Sequence, residues 1–81
     1  MVIVWDEPKR LANLGKHGID FADIRPVFFE TAFIGRAKHG RWVALGRIGK
    51  TIVVIFVILG SEGISIVSAR PANRKERKAI E

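Results

Sequence analysis

The eight residues from Ile52 to Leu59, Ile-Val-Val-Ile-Phe-Val-Ile-Leu, contain no polar side chain and do not alternate. A half-exposed strand alternates apolar with polar residues, so an unbroken β-branched run reads as a strand covered on both faces and central in its sheet. The chain around it has 81 residues, enough for one domain that hides roughly 60 to 65% of its unfolded surface. Two helices of so short a chain cover one face. The second face must therefore meet the terminal helix or another protein chain. The run is also far shorter than the roughly 20 apolar residues of a spanning helix, and residues 1–6 lack the basic and apolar regions of a signal peptide. The sequence has no cysteine, so neither disulfides nor thiolate metal sites are expected, and a reducing cytoplasm suits it.

The flanking patterns predict an α+β domain over residues 1–81, with two N-terminal helices, a mainly antiparallel twisted sheet and a short C-terminal helix. Val2 to Trp5 reads as a strand, and Asp6 with Pro8 opens a helix running from Pro8 to about Lys16, its end bracketed by Gly15 and Gly18. Asp20 caps a second helix whose apolar face is Phe21, Ile24, Val27 and Phe28, with Pro26 kinking it or delaying its start. From Thr31 the period falls to two. Phe33–Ile34, Arg41–Ile48, Thr51–Leu59 and Ile64–Ala69 read as strands, with Gly49-Lys50 as a two-residue hairpin loop. Asn73 then caps a helix running to Glu81. With that loop, Gly46 lies opposite Val53, and Val53 opposite Arg70 if Leu59 faces Ile64. Arg70 would share a row with a glycine, leaving space for a ligand beside its guanidinium.

The formal charge of +6 is unevenly placed. Residues 1–35 hold four Lys and Arg against five Asp and Glu, whereas residues 36–81 hold ten against three. Such a split points to a basic surface on the second half and a polyanionic partner. A membrane surface fits poorly, because the only strongly basic helical stretch is the short one beginning at Arg74.

Four stretches stand in order along nearly the whole chain: Val4-Trp5-Asp6-Glu7, Lys16-His17-Gly18-Ile19-Asp20-Phe21, Arg41-Trp42-Val43-Ala44-Leu45-Gly46, and Ile66-Val67-Ser68-Ala69-Arg70 followed by Ala72 and Glu76-Arg77. Together they resemble the BrnT family of bacterial type II toxins. The resemblance implies a RelE-like ribonuclease fold, RNA cleavage that blocks translation, and neutralisation by a BrnA-like antitoxin with a ribbon-helix-helix domain. Operator DNA would be met only through that antitoxin. A toxin–antitoxin hetero-oligomer is the expected assembly, and a toxin homodimer the alternative. Family members often carry a tyrosine near the end of the last helix, where this chain has Ile80.

Metal-free RNA cleavage needs a base for the 2′-hydroxyl, cations for the pentavalent phosphate and an acid for the leaving oxygen. No cofactor is expected. Arg70 is the first candidate for the cation, because guanidinium binds phosphate bidentately and stays charged. Arg47 and Arg41 follow; they lie roughly 20 Å apart along a strand at 3.3 Å per residue, so they cannot grip one phosphate. His17 is the candidate acid or base. Lys16, Arg77, Arg74 and Lys50 are candidate RNA contacts. His39 is a weaker catalytic candidate. Asp20 and Asp23 read as helix-capping acids rather than metal ligands, and Trp5 and Trp42 as core residues rather than base-stacking platforms. The competing reading is a non-catalytic nucleic-acid-binding module, a decayed toxin acting as co-repressor with its partner.

Overall fold

The apolar run at residues 52–59 becomes the middle of a five-stranded sheet. A computed structural model describes residues 1–80. In chain order the elements are β1 (Val2–Trp5), α1 (Glu7–His17), a 3-10 turn (Phe21–Asp23), α2 (Pro26–Thr31), β2 (Phe33–Arg36), β3 (Trp42–Ile48), β4 (Lys50–Leu59), β5 (Gly63–Pro71) and α3 (Arg74–Ala79). The sheet order is β1-β5-β4-β3-β2. The four strands β2 to β5 pair antiparallel, but β1 runs parallel to β5, with Val2 beside Gly63 and Trp5 beside Ile66. The sheet is therefore mixed rather than purely antiparallel, because β5 returns beside β1 in the same direction after the meander.

One face of the sheet carries the core. Ala44, Ile52, Val54, Phe56, Ile64, Ile66 and Ala69 meet Ile19, Phe21, Ile24, Phe28 and Phe29. Trp5 packs edge-on against Phe21, and Phe29 against both Phe28 and Phe56. The opposite face is apolar too. There Val53 is only 2% exposed, whereas Val43, Leu45, Ile55 and Val57 are half-buried.

The second helix departs from expectation. Asp20 caps only the 3-10 turn, its carboxylate accepting from the Ala22 N–H at 2.9 Å. Ile24 and Arg25 are extended, as the residue before a proline prefers, and α2 starts afresh at Pro26. This break turns Val27 outward, to 62% exposure, while Phe28 and Phe29 enter the core. The C-terminal helix starts as expected, with Asn73 and Glu76 in a reciprocal capping box, but it ends at Ala79, with Ile80 as its C-cap. Glu81 lies outside the described residues.

Helix α1 is held by polar contacts. Leu11 and Leu14 remain exposed, and the buried side chain is Asn13. Its Nδ2 donates to the Ile19 carbonyl and its Oδ1 accepts from the Ala69 N–H, both at 3.0 Å. Arg10 adds a bond to Glu7 and a pair of 3.1 Å bonds to Asp20. Asp20 is thereby held below the usual carboxylate range, first by the Ala22 N–H and then by Arg10, with burial opposing.

The hairpin register also differs. Gly49 alone, at φ 69°, makes the turn, so Ile48 pairs with Lys50 and Gly46 with Ile52. Val53 does lie opposite Arg70, because an irregularity between Ile55 and Phe56 shifts the β4–β5 register that starts at Leu59–Gly63. Arg70 thus shares its row with Val53 and Leu45, not with Gly46. The space at Gly46 is filled from the core side: a Cβ there would stand 2.8 Å from Phe28 and 3.2 Å from Ala32.

Gly46→Ala should therefore lower the unfolding free energy by about 1–3 kcal/mol, the usual cost of overpacking, measured by urea denaturation. Asn13→Ala should cost about 1–3 kcal/mol, because it strands the buried Ala69 N–H; an unchanged denaturation midpoint would show that the amide does not anchor α1.

Candidate active site

The end of α1 and the middle of β5 form the most suggestive constellation. Gly18, left-handed at φ 71°, ends α1 and donates its N–H to the Leu14 carbonyl, leaving Lys16 and His17 in the last turn, where positive charge complements the helix dipole. Asn13 fixes that turn to β5. Beside it, Lys9, Ala12, Asn13, Lys16, His17, Val67 and Ser68 line an open cleft of about 300 Å³. Lys16 is exposed and His17 half-buried. The register irregularity leaves Val67 unpaired between Ile66 and Ser68, and such bulges re-aim neighbouring side chains.

Arg70 follows Ser68 by two residues, on the same face of β5 and roughly 7 Å further along. Its guanidinium is already engaged. Nη1 and Nη2 donate to the two oxygens of Glu76, each at 2.8 Å, and Nη1 also reaches the Pro71 carbonyl at 3.3 Å. The pair leaves 41% of the Arg70 side chain and 27% of that of Glu76 exposed. Hydrogen bonding to Glu76 raises the Arg70 pKa. The same bonds bring Glu76 down to about 2, reinforced by the Asn73 N–H and opposed by burial. Glu76 therefore stays ionised in any physiological medium, and the Nε–H of Arg70 has no partner among the described residues.

The other candidate residues are dispersed. Arg47 borders a cleft with Asp23, Arg25 and Phe28, and Lys50 lines a small one with Asp20 and Asp23; both clefts open toward the helix-covered side. Arg41 lies at the far end of β3, where its N–H donates to the Lys38 carbonyl. His39 sits in that same turn with φ 62°. Arg77 donates to the Ala72 carbonyl at 2.9 Å, which ties α3 to the end of β5, and Arg74 is exposed at the start of α3. The structure thus sets Lys16 and His17 beside Ser68 of β5, with Arg70 two residues further along that strand, and leaves Arg47, Arg41 and Lys50 elsewhere. It adds Lys9, Ser68 and Glu76. Ser68 and Glu76 stand within the Ser-Ala-Arg and Glu-Arg motifs, but the 56-residue separation of Asn13 from Ala69 leaves no local signal.

The Arg70–Glu76 pair makes stability depend on acid. Glu76 falls from 4.5 to about 2 on folding, so its contribution is present above pH 4.5 and is lost as pH falls toward 2. Partial exposure limits it to about 1 kcal/mol. Glu76→Gln should flatten the loss of stability between pH 4.5 and 2 in thermal unfolding, and an unchanged slope would show that the pair is not formed in solution.

Comparison with known proteins gives the family. Residues 5–76 match the family model for the ribonuclease toxin BrnT of type II toxin–antitoxin systems. The chain is similar to the crystal structure of the Brucella abortus ribonuclease toxin BrnT, with 45% identity, a TM-score of 0.86, and coverage of 91% of this chain and 99% of that one. Among curated protein sequences none matches. Family model and solved structure each cover most of the chain and agree, so this chain belongs to the BrnT family of ribonuclease toxins of type II toxin–antitoxin systems.

Proposed function

We propose that this toxin is a metal-independent endoribonuclease on a RelE-like fold, acting in the cytoplasm to block translation and neutralised by a BrnA-like ribbon-helix-helix antitoxin. The observation that carries the reading is the cleft in which Lys9, Lys16 and His17 face Ser68, on the strand that presents Arg70. In such a site His17 moves the proton of the attacking 2′-hydroxyl or of the leaving 5′-oxygen. The lysine ammoniums and the remaining N–H groups of Arg70 neutralise charge on the pentavalent phosphate. Glu76 acts on Arg70, fixing the plane of the guanidinium rather than contacting RNA. The central sheet face is apolar, so phosphate is met at its rim. Antitoxin binding links the protein to operator DNA, and the complex is a hetero-oligomer.

Two observations favour the competing reading. Arg70 is neutralised by a carboxylate, and Ile80 stands where relatives often place a tyrosine, so binding RNA without cutting it, as a co-repressor, is the second proposal.

Purified protein incubated with RNA in the presence of EDTA separates the two. Cleavage is expected, with His17→Ala lowering the rate by about 10²-fold or more and Arg70→Ala by about 10²–10³-fold. Lys16→Ala should instead weaken RNA affinity and reduce the salt dependence of binding by about one counterion. Retention of RNA with no cleavage would favour the co-repressor reading, and cleavage unaffected by His17→Ala and Arg70→Ala would remove this cleft from the reaction.

A further inference from the structure

The sheet ends at β2, whose outer edge has no strand partner among the described residues. Its residues Phe33, Ile34, Gly35 and Arg36 contain no proline and no lysine, so its main safeguard against edge pairing is its length. Phe33 is 62% and Ile34 48% exposed, on opposite faces. Against the Ile34 side lies an open apolar groove in two lobes. One, of about 370 Å³, is lined mainly by Ile34, Phe29, Trp42, Phe56, Ile58 and Ile64; the other, of about 420 Å³, shares Met1, Phe29 and Ile34 and continues along α2.

The segment that builds this edge carries one sign of charge. No Asp or Glu occurs from Thr31 to Ser61, a stretch that contains Arg36, Lys38, Arg41, Arg47 and Lys50. Three of these cations, with His39, cluster at the β2–β3 hairpin, and the Arg36 guanidinium lies over the Trp42 ring, 5.1 Å from its centre. Two carboxylates also line the groove, Glu62 in the first lobe and Glu30 in the second. The opposite sheet edge, β1, also exposes Val2 and Val4, but it runs into Asp6 and Glu7 and would repel an acidic segment.

We infer that the β2 edge is where the protein partner docks: an extended segment of the partner adds a strand to β2, sets apolar side chains into the groove at Ile34, Trp42 and Ile58, and places carboxylates against Arg36, Lys38 and Arg41. Backbone bonds supply the pairing and the alternate pockets the specificity, as in other strand additions. A polyanionic RNA has use for the hairpin cations but none for the groove, and a second copy brings a further +6 to the same edge. The inference rests on the antitoxin reading above for the identity of the partner. It places that partner at the edge remote from β5, so that inhibition would act by assembly or by reach rather than by filling the cleft at Lys16 and His17.

The test is co-expression of the full chain with the protein encoded by the adjacent gene, followed by titration of the purified complex. Ile34→Lys and the double variant Arg36→Glu/Lys38→Glu should each weaken the complex at least about tenfold, while Leu11→Lys, on the exposed side of α1, leaves affinity unchanged. Circular dichroism shows that each variant is folded, and amides 33–36 should gain exchange protection in the complex. A complex insensitive to the β2 variants overturns the docking site and leaves the antitoxin reading standing. Absence of any complex with the wild-type chain overturns both. β2 protection that depends only on toxin concentration assigns the edge to a second copy, and loss of RNA affinity in the double variant with the complex intact assigns it to RNA; each overturns the inference.

Discussion

Asn13 is the contact on which the site depends. Helix α1 presents Leu11 and Leu14 to solvent, so apolar burial does little to orient it. Instead one buried amide joins the Ile19 carbonyl after the helix to the Ala69 amide in β5. A buried carboxamide is costly unless both ends are satisfied, and here both are, by backbone groups that can come together in only one docking of helix on strand. Lys9, Lys16 and His17 are carried to Ser68 by that docking. The bulge at Val67 lies beside it, where the strand departs from regular pairing and turns side chains toward the cleft.

Electrostatics divides the molecule rather than marking one surface. The positive second half splits into a hairpin cluster at Arg36, Lys38 and Arg41, a pair at Arg47 and Lys50, and the charged helix α3. Between them the sheet face is apolar, with Val53 buried and its neighbours half-covered. Positive charge is therefore presented at edges and ends. Arg70 shows the same economy at the scale of one group: its paired nitrogens hold α3 through Glu76, and what is left faces outward. The pairing restricts the guanidinium to one plane and reduces its net field, which makes the remaining N–H donors directional more than attractive.

Register illustrates how local and global information combine. The expected two-residue hairpin placed Gly46 beside Arg70, yet the turn is made by Gly49 and the glycine faces Phe28 instead. The pairing of Val53 with Arg70 survived because the later β4–β5 irregularity offset a one-residue difference at the following turn. Strand parity along one element was readable from its residues. The count across two turns and a bulge was not, since each of these features changes it by one.

The sequence by itself determined most element types: a central strand from residues 52–59, capped helices at Asp6 and Asn73, a kink or delayed start at Pro26, and the resemblance to BrnT toxins carried by motifs at both ends. These follow from short-range physics, namely side-chain periodicity, capping and the fixed φ of proline. Tertiary structure alone decided that β1 joins β5 in parallel, that Asn13 fastens α1 to Ala69, that Arg70 is paired with Glu76, and that the cations of the second half occupy separate places. Those outcomes depend on which distant backbone groups are left needing a partner after the sheet closes, and residue type carries no record of that.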